Sequence, residues 1–129
     1  MTYSECRSKG YDFIVGVPCS CFQQFIIDLQ NDAAMKYIPA NREDTAVALA
    51  VGAYFSGKKP LVFLQNSGLG HIVNIASSLL IPYKIPVDFL ISMREKPFEH
   101  THMYKITKDI ISLLELDSRV HLVDSSSHS

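Results

Sequence analysis

The chain has 129 residues, 47% of them apolar, enough for one domain with a proper core and too few for two. Its 12 Lys and Arg against 13 Asp and Glu leave a formal net charge of −1 with no basic run, which excludes nucleic acid and anionic membrane surfaces as expected partners. No apolar run approaches the roughly 20 residues of a bilayer span, and residues 1–6 lack the basic flank and apolar segment of a leader, so a soluble cytoplasmic protein is expected.

In chain order, residues 2–9 read as a short helix and residues 11–17 (YDFIVGV) as a β-rich run closed by Pro18. Cys6, Cys19 and Cys21 have neither zinc-type nor thioredoxin-type spacing, and their odd number predicts reduced thiols. Ser20 stands where it could cap the next helix, residues 21–29. There Phe22, Phe25, Ile26 and Leu29 recur at i, i+3, i+4, i+7 and mark one buried face. Residues 35–39 form a short strand. From residue 42 to 56 a helix carries Ala46, Val47, Ala48, Ala50, Val51, Gly52 and Ala53, side chains small enough for another element to approach closely, and Gly57 ends it.

Residues 61–64 are the next strand, stopped at Asn66-Ser67-Gly68-Leu69-Gly70, and residues 72–80 the next helix. Residues 87–92 (VDFLIS) make the continuous apolar run of a strand buried on both faces. Residues 93–103 read as a loop. Residues 107–116 form an amphipathic helix, flanked and lined by Ile106, Ile110, Ile111, Leu113 and Leu114, and residues 120–123 a last strand. Residues 125–129, SSSHS, read as a disordered tail.

Strands and helices alternating in this way build βαβ units. The expected fold is α/β, a three-layer αβα sandwich around a mostly parallel, doubly wound sheet, in a single domain over residues 1–124. Ligands bind such sheets at the carboxyl ends of the strands. Three turns meet there: Val17-Pro18-Cys19-Ser20, Ala40-Asn41-Arg42-Glu43 and Asn66-Ser67-Gly68. The 93–103 segment adds Arg94, Glu95, Glu99, His100 and His102. A carboxylate in a helix's first turn, as Glu43 is, gains ~0.3–1 kcal/mol from the dipole whatever its function. The glycines are not a dinucleotide fingerprint, because Val73 stands at the third glycine's place and Asp88 opens the next strand instead of ending it. No Gly-Lys-Ser/Thr makes a P-loop either.

The order GVPCS, NREDTAVALAVGAYFSGKKPLVFLQNSGLG, NIASSL and PVDFLIS resembles the pyrimidine-binding (PYR) domain of thiamine diphosphate enzymes, over about residues 11–116. Within that superfamily it looks most like the phosphonopyruvate and sulfopyruvate decarboxylases. The resemblance implies a half site. In these enzymes a second domain or a beta subunit holds the diphosphate and its magnesium ion through a Gly-Asp-Gly…Asn motif, and this sequence has no such motif. The family's glutamate, matched by Glu43, hydrogen-bonds the aminopyrimidine N1′ and so helps the cofactor remove its own thiazolium proton. Pro18, Asn66, Ser67 and Gly68 match the segments against the pyrimidine. Pyruvate-type decarboxylases carry an acid and a histidine pair over the cofactor; here Ser20 stands at the acid's place and the histidines are split as His100-Thr101-His102. That departure points to a 2-oxoacid with a second anionic group, with Ser20 and Arg94 as substrate ligands and His100 or His102 handling the proton. A homo- or hetero-oligomer is implied. Two other readings stay open: a PYR-like assembly or regulatory module without activity, and an unrelated module binding a phosphorylated ligand at residues 67–70.

Overall fold

The computed structural model describes residues 1–124; the tail expected to be disordered lies outside them. Strands β1 (Phe13–Gly16), β2 (Lys36–Pro39), β3 (Pro60–Gln65), β4 (Asp88–Met93) and β5 (Val120–Asp124) form one sheet in the order β2-β1-β3-β4-β5. All four pairings are parallel, so the sheet is wholly rather than mostly parallel. The chain runs outward from β1 to β2, then returns to the other side of β1 to lay down β3. That reversal is a topological switch point, and in open α/β sheets the crevice beyond the carboxyl ends of the strands at such a point, here β1 and β3, is where ligands bind.

Alternation along each strand divides the apolar residues between two faces. Phe13, Val15, Val62, Leu64, Phe89 and Ile91 face helices α3 (Glu43–Phe55), α4 (Val73–Ile75) and α5 (Thr101–Leu113). Ile14, Leu61, Phe63 and Leu90 face α1 (Tyr3–Ser8) and α2 (Gln23–Gln30), through Cys6, Phe22, Phe25 and Leu29. β1 and β3 approach so closely that a Cβ at Gly16 would lie 2.7 Å from the Phe63 ring. Of the small side chains of α3, Ala46, Val47 and Ala50 are fully buried as expected while Ala48 and Gly52 are exposed, and the helix stops before Gly57, whose φ of +88° suits glycine. No helix among the described residues is long and apolar enough to cross a membrane.

Several local expectations are corrected. Ser20 caps nothing; it opens a 3₁₀ turn, Ser20–Phe22, and α2 starts only at Gln23. That turn brings Cys19 and Cys21 to a Cα separation of 5.5 Å and joins them as a disulfide, so only Cys6, buried, is a free thiol. The segment read as a tight turn followed by an α-helix over 72–80 is a seven-residue 3₁₀ helix, Asn66–Ile72, then the single turn of α4 and a π-helical stretch, Ala76–Leu80. The segment read as a loop to residue 103 is helical from Phe98 onward, and α5 begins six residues before the expected start. Its buried positions, Thr107, Ile111 and Leu114, keep the i, i+4, i+7 spacing. The polar first turn, Thr101-His102-Met103-Tyr104, hides that period.

Candidate functional site

The 3₁₀ segment organises the crevice. With three residues per turn, positions i and i+3 eclipse one another. Asn66, Leu69 and Ile72 form the buried column, while Gly68 and His71 form a second column facing the start of α3. At that start Glu43 is the first helical residue, its side chain only 14% exposed. Gly68 is where the carboxylate fits: a Cβ there would collide with Oε1 and sit 2.7 Å from Cδ and 2.8 Å from Cγ. The absence of a side chain at Gly68 is what gives Glu43 its room. On the other carboxylate oxygen, Oε2, His71 closes a 2.7 Å hydrogen bond through Nδ1. His71 was not anticipated. Nothing in the linear pattern joins it to a residue 28 positions earlier; only the three-residue period of the segment does.

A second network holds the neighbouring strand end. Asn66 is fully buried and its amide is committed to protein: Oδ1 accepts from the Arg94 backbone N–H at 2.8 Å, and Nδ2 donates to the Arg94 carbonyl at 3.3 Å and to Thr107 Oγ1 at 3.1 Å. Thr107 in turn donates to the Met103 carbonyl one turn earlier, at 2.6 Å. Thr107 was missed too, because a polar residue inside an amphipathic pattern reads as surface. The Arg94 guanidinium donates through Nε to the Lys96 carbonyl at 3.1 Å and through Nη1 to Gln65 Oε1 at 3.3 Å. It is thereby tethered at the carboxyl end of β3. Ser92, next to this network on β4, is buried with its hydroxyl unpaired.

Glu43 and Gly68 thus meet, and Asn66 meets Arg94. Ser67 is half-buried between the two networks, and Pro18 and Ser20 are exposed on the loop beyond β1. His100 precedes α5 and His102 lies on its exposed first turn; among the described residues no side-chain hydrogen bond ties either to the other candidates. No group of three or more His, Cys, Asp and Glu among the described residues is placed to hold a metal ion. What the arrangement offers chemically is a mostly buried carboxylate with one oxygen anchored and the other beside a side-chain-free backbone, at a switch-point crevice.

No protein-family model matches the chain. The sulfopyruvate decarboxylase subunit alpha of Methanothermobacter thermautotrophicus is 34% identical over 121 residues, covering 91% of this chain and 73% of that protein. The subunit alpha of Methanococcus maripaludis is 33% identical over 118 residues, covering 88% and 71%. The phosphonopyruvate decarboxylase of Streptomyces viridochromogenes is 34% identical over 113 residues, and the match takes up 84% of this chain but 28% of that longer protein. Among solved structures, the 2-oxoglutarate:ferredoxin oxidoreductase of Magnetococcus marinus superposes on 99% of this chain and 29% of its own, with a TM-score of 0.68 at 14% identity, a likeness of fold. By its identity to the two archaeal alpha subunits and the share of each it covers, the chain belongs to the sulfopyruvate decarboxylase alpha-subunit family.

Proposed function

We propose that this chain supplies the aminopyrimidine side of a thiamine diphosphate site in a decarboxylase of sulfopyruvate or phosphonopyruvate, and that a separate diphosphate- and magnesium-binding subunit or domain completes it. The observation that carries the reading is the Glu43 carboxylate, shielded from water and held against Gly68 at the switch-point crevice. The cofactor, when bound, supplies the electron sink that decarboxylation of a 2-oxoacid requires. Glu43 holds a proton at the pyrimidine N1′, a task that needs a carboxyl group in a dry, fixed position. The backbone of Asn66, Ser67 and Gly68 and the ring of Pro18 would flank the pyrimidine. The Asn66 side chain serves by fixing the segment, since its amide is already bonded to Arg94 and Thr107. Ser20 and the unengaged Nη2 of Arg94 bind the distal sulfonate or phosphonate, for which the planar guanidinium is suited. His100 or His102 would hold the proton that replaces the departing carbon dioxide.

Glu43→Gln tests this in the complex with the complementary subunit. The amide keeps the shape but cannot share the proton, so hydrogen exchange at the cofactor's C2 and turnover of sulfopyruvate should fall by about 10²-fold or more, with thermal stability unchanged. Near-normal exchange and turnover in that variant would leave Glu43 a helix-start carboxylate and remove the reading.

A further inference from the structure

We propose that His71 is the positioning residue for Glu43: by donating to Oε2 it fixes the carboxylate plane and leaves Oε1 as the oxygen that meets the pyrimidine ring nitrogen. This rests on the function proposed above and adds a residue to it. An unanchored glutamate carboxylate rotates about its last torsion, whose preferences are broad, and presents either oxygen to a ligand. Here the two oxygens are distinguished by their surroundings. Oε1 lies against the backbone of Gly68, where a side chain on residue 68 would take its place, and Oε2 is 2.7 Å from His71 Nδ1.

A carboxylate only accepts, so the bond places the imidazole hydrogen on Nδ1. His71 is half exposed, at 56%, in the open groove between α3 and α4 that Thr45, Ala48 and Asn74 also line. Its own side therefore contributes little to folding. The neighbouring carboxylate, Asp44, is already engaged by Arg42 at 3.0 Å, so His71 is left to Glu43. Gly68 and His71 sit one 3₁₀ turn apart, and the same segment that opens space for the carboxylate also supplies its anchor.

The test uses the assembled complex with His71→Ala and His71→Asn, whose amide nitrogen reaches about as far as the imidazole Nδ1. Removing one charge-assisted bond should raise the half-saturating thiamine diphosphate concentration about tenfold and lower kcat by a similar factor, with KM for sulfopyruvate unchanged. His71→Asn should recover most of both. A cofactor-free readout accompanies it: in the isolated chain the ring ¹⁵N signals of His71 should report the Nδ1–H tautomer and shift in Glu43→Gln. His71→Ala with unchanged cofactor saturation and kcat, while Glu43→Gln is inactive, overturns this inference alone. So does a His71 ring signal indifferent to Glu43→Gln, or a folded His71→Asn that behaves like His71→Ala. A fully active Glu43→Gln overturns the functional reading and this inference with it.

Discussion

Replacing Gly68 with alanine should silence the site while leaving the domain folded. The added Cβ would meet Glu43 Oε1 head-on and lie 2.7 Å from Cδ, whereas ordinary contact begins at 3.4 Å. The carboxyl carbon must therefore retreat by about 0.7 Å, and Oε1 by more. It can do so, because the obstructing atoms are the far end of a side chain and not backbone. Over-filling a packed site costs about 1–3 kcal/mol, and rotation of Glu43 toward the groove should keep the loss near the lower figure. Function is less forgiving. Displacing a reacting group by about 1 Å can cost about 10²-fold in rate, and rotation would also break the bond to His71. Gly68→Ala in the assembled complex should therefore lose about 30- to 100-fold in kcat by the same geometric sensitivity, with a thermal midpoint lowered by only about 3–6 °C. A Gly68→Ala complex with full turnover would refute the reasoning. So would a loss of activity that merely tracks the unfolded fraction.

Gly16→Ala is the structural counterpart: its Cβ would strike the Phe63 carbonyl and ring, forcing β1 and β3 apart, so the thermal midpoint should fall by about 10 °C or more. Gly52→Ala has open space around it on α3 and removes a flexible residue from a helix interior, so it should raise stability by about 0.5–1 kcal/mol in a urea titration. Alkaline pH should destabilise the fold. Burial pushes the Cys6 thiol up from 9.0 to about 11, and burial with the Asp32 and Asp88 carboxylates raises Tyr3 and Tyr11 above the usual phenol range. Above pH 9 the unfolded chain releases protons that the folded chain keeps, so stability present below that pH is lost as pH rises toward these folded values. Urea midpoints should hold from pH 7 to 8 and fall steadily from about 9 to 11; a midpoint level to pH 11 would contradict the assignment.

The sheet was legible because its strands carry their own signature. FIV, LVFL and DFLIS are continuous β-rich runs, buried on both faces and broken by Pro, Gly or Asn, and no helix of ordinary length competes for them. Parallel pairing followed from alternation with helices, whereas the order β2-β1-β3-β4-β5 did not, because alternation sets strand direction and not which strands are neighbours. Asn66–Leu80 was less legible for a physical reason. Leu69, Ile72, Ile75 and Leu79, spaced 3, 3 and 4 apart, do not separate a 3.6-residue period from a tighter one, and the bond from Asn66 to Arg94 that accompanies the 3₁₀ coil over Asn66–Ile72 joins residues 28 apart in the sequence. The disulfide was invisible for a similar reason, since a separation of two residues closes only on the turn at Ser20.

The candidate site divides along the same line. Glu43 and Gly68 could be placed at the carboxyl edge from the sequence, and given roles there by resemblance, but the contacts at the site could not be read. Those contacts belong to two networks, Glu43 with Gly68 and His71, and Asn66 with Arg94 and Thr107. Both are anchored in one short helix. Asn66 stands at its first position, Gly68 at its third and His71 at its sixth, which at ~2 Å of rise per residue puts the attachments of the Glu43 network about 4 to 10 Å along the helix from Asn66. A 3₁₀ segment whose Asn66, Leu69 and Ile72 are buried is a stiff spacer. It fixes the distance from the carboxylate to the arginine more firmly than two independent loops would, since loop positions open at little cost while buried, hydrogen-bonded ones do not. A fully buried asparagine bonded to a strand end and a helix, where an isosteric leucine could make none of these bonds, would thereby hold the reach between the two ends of the candidate site constant.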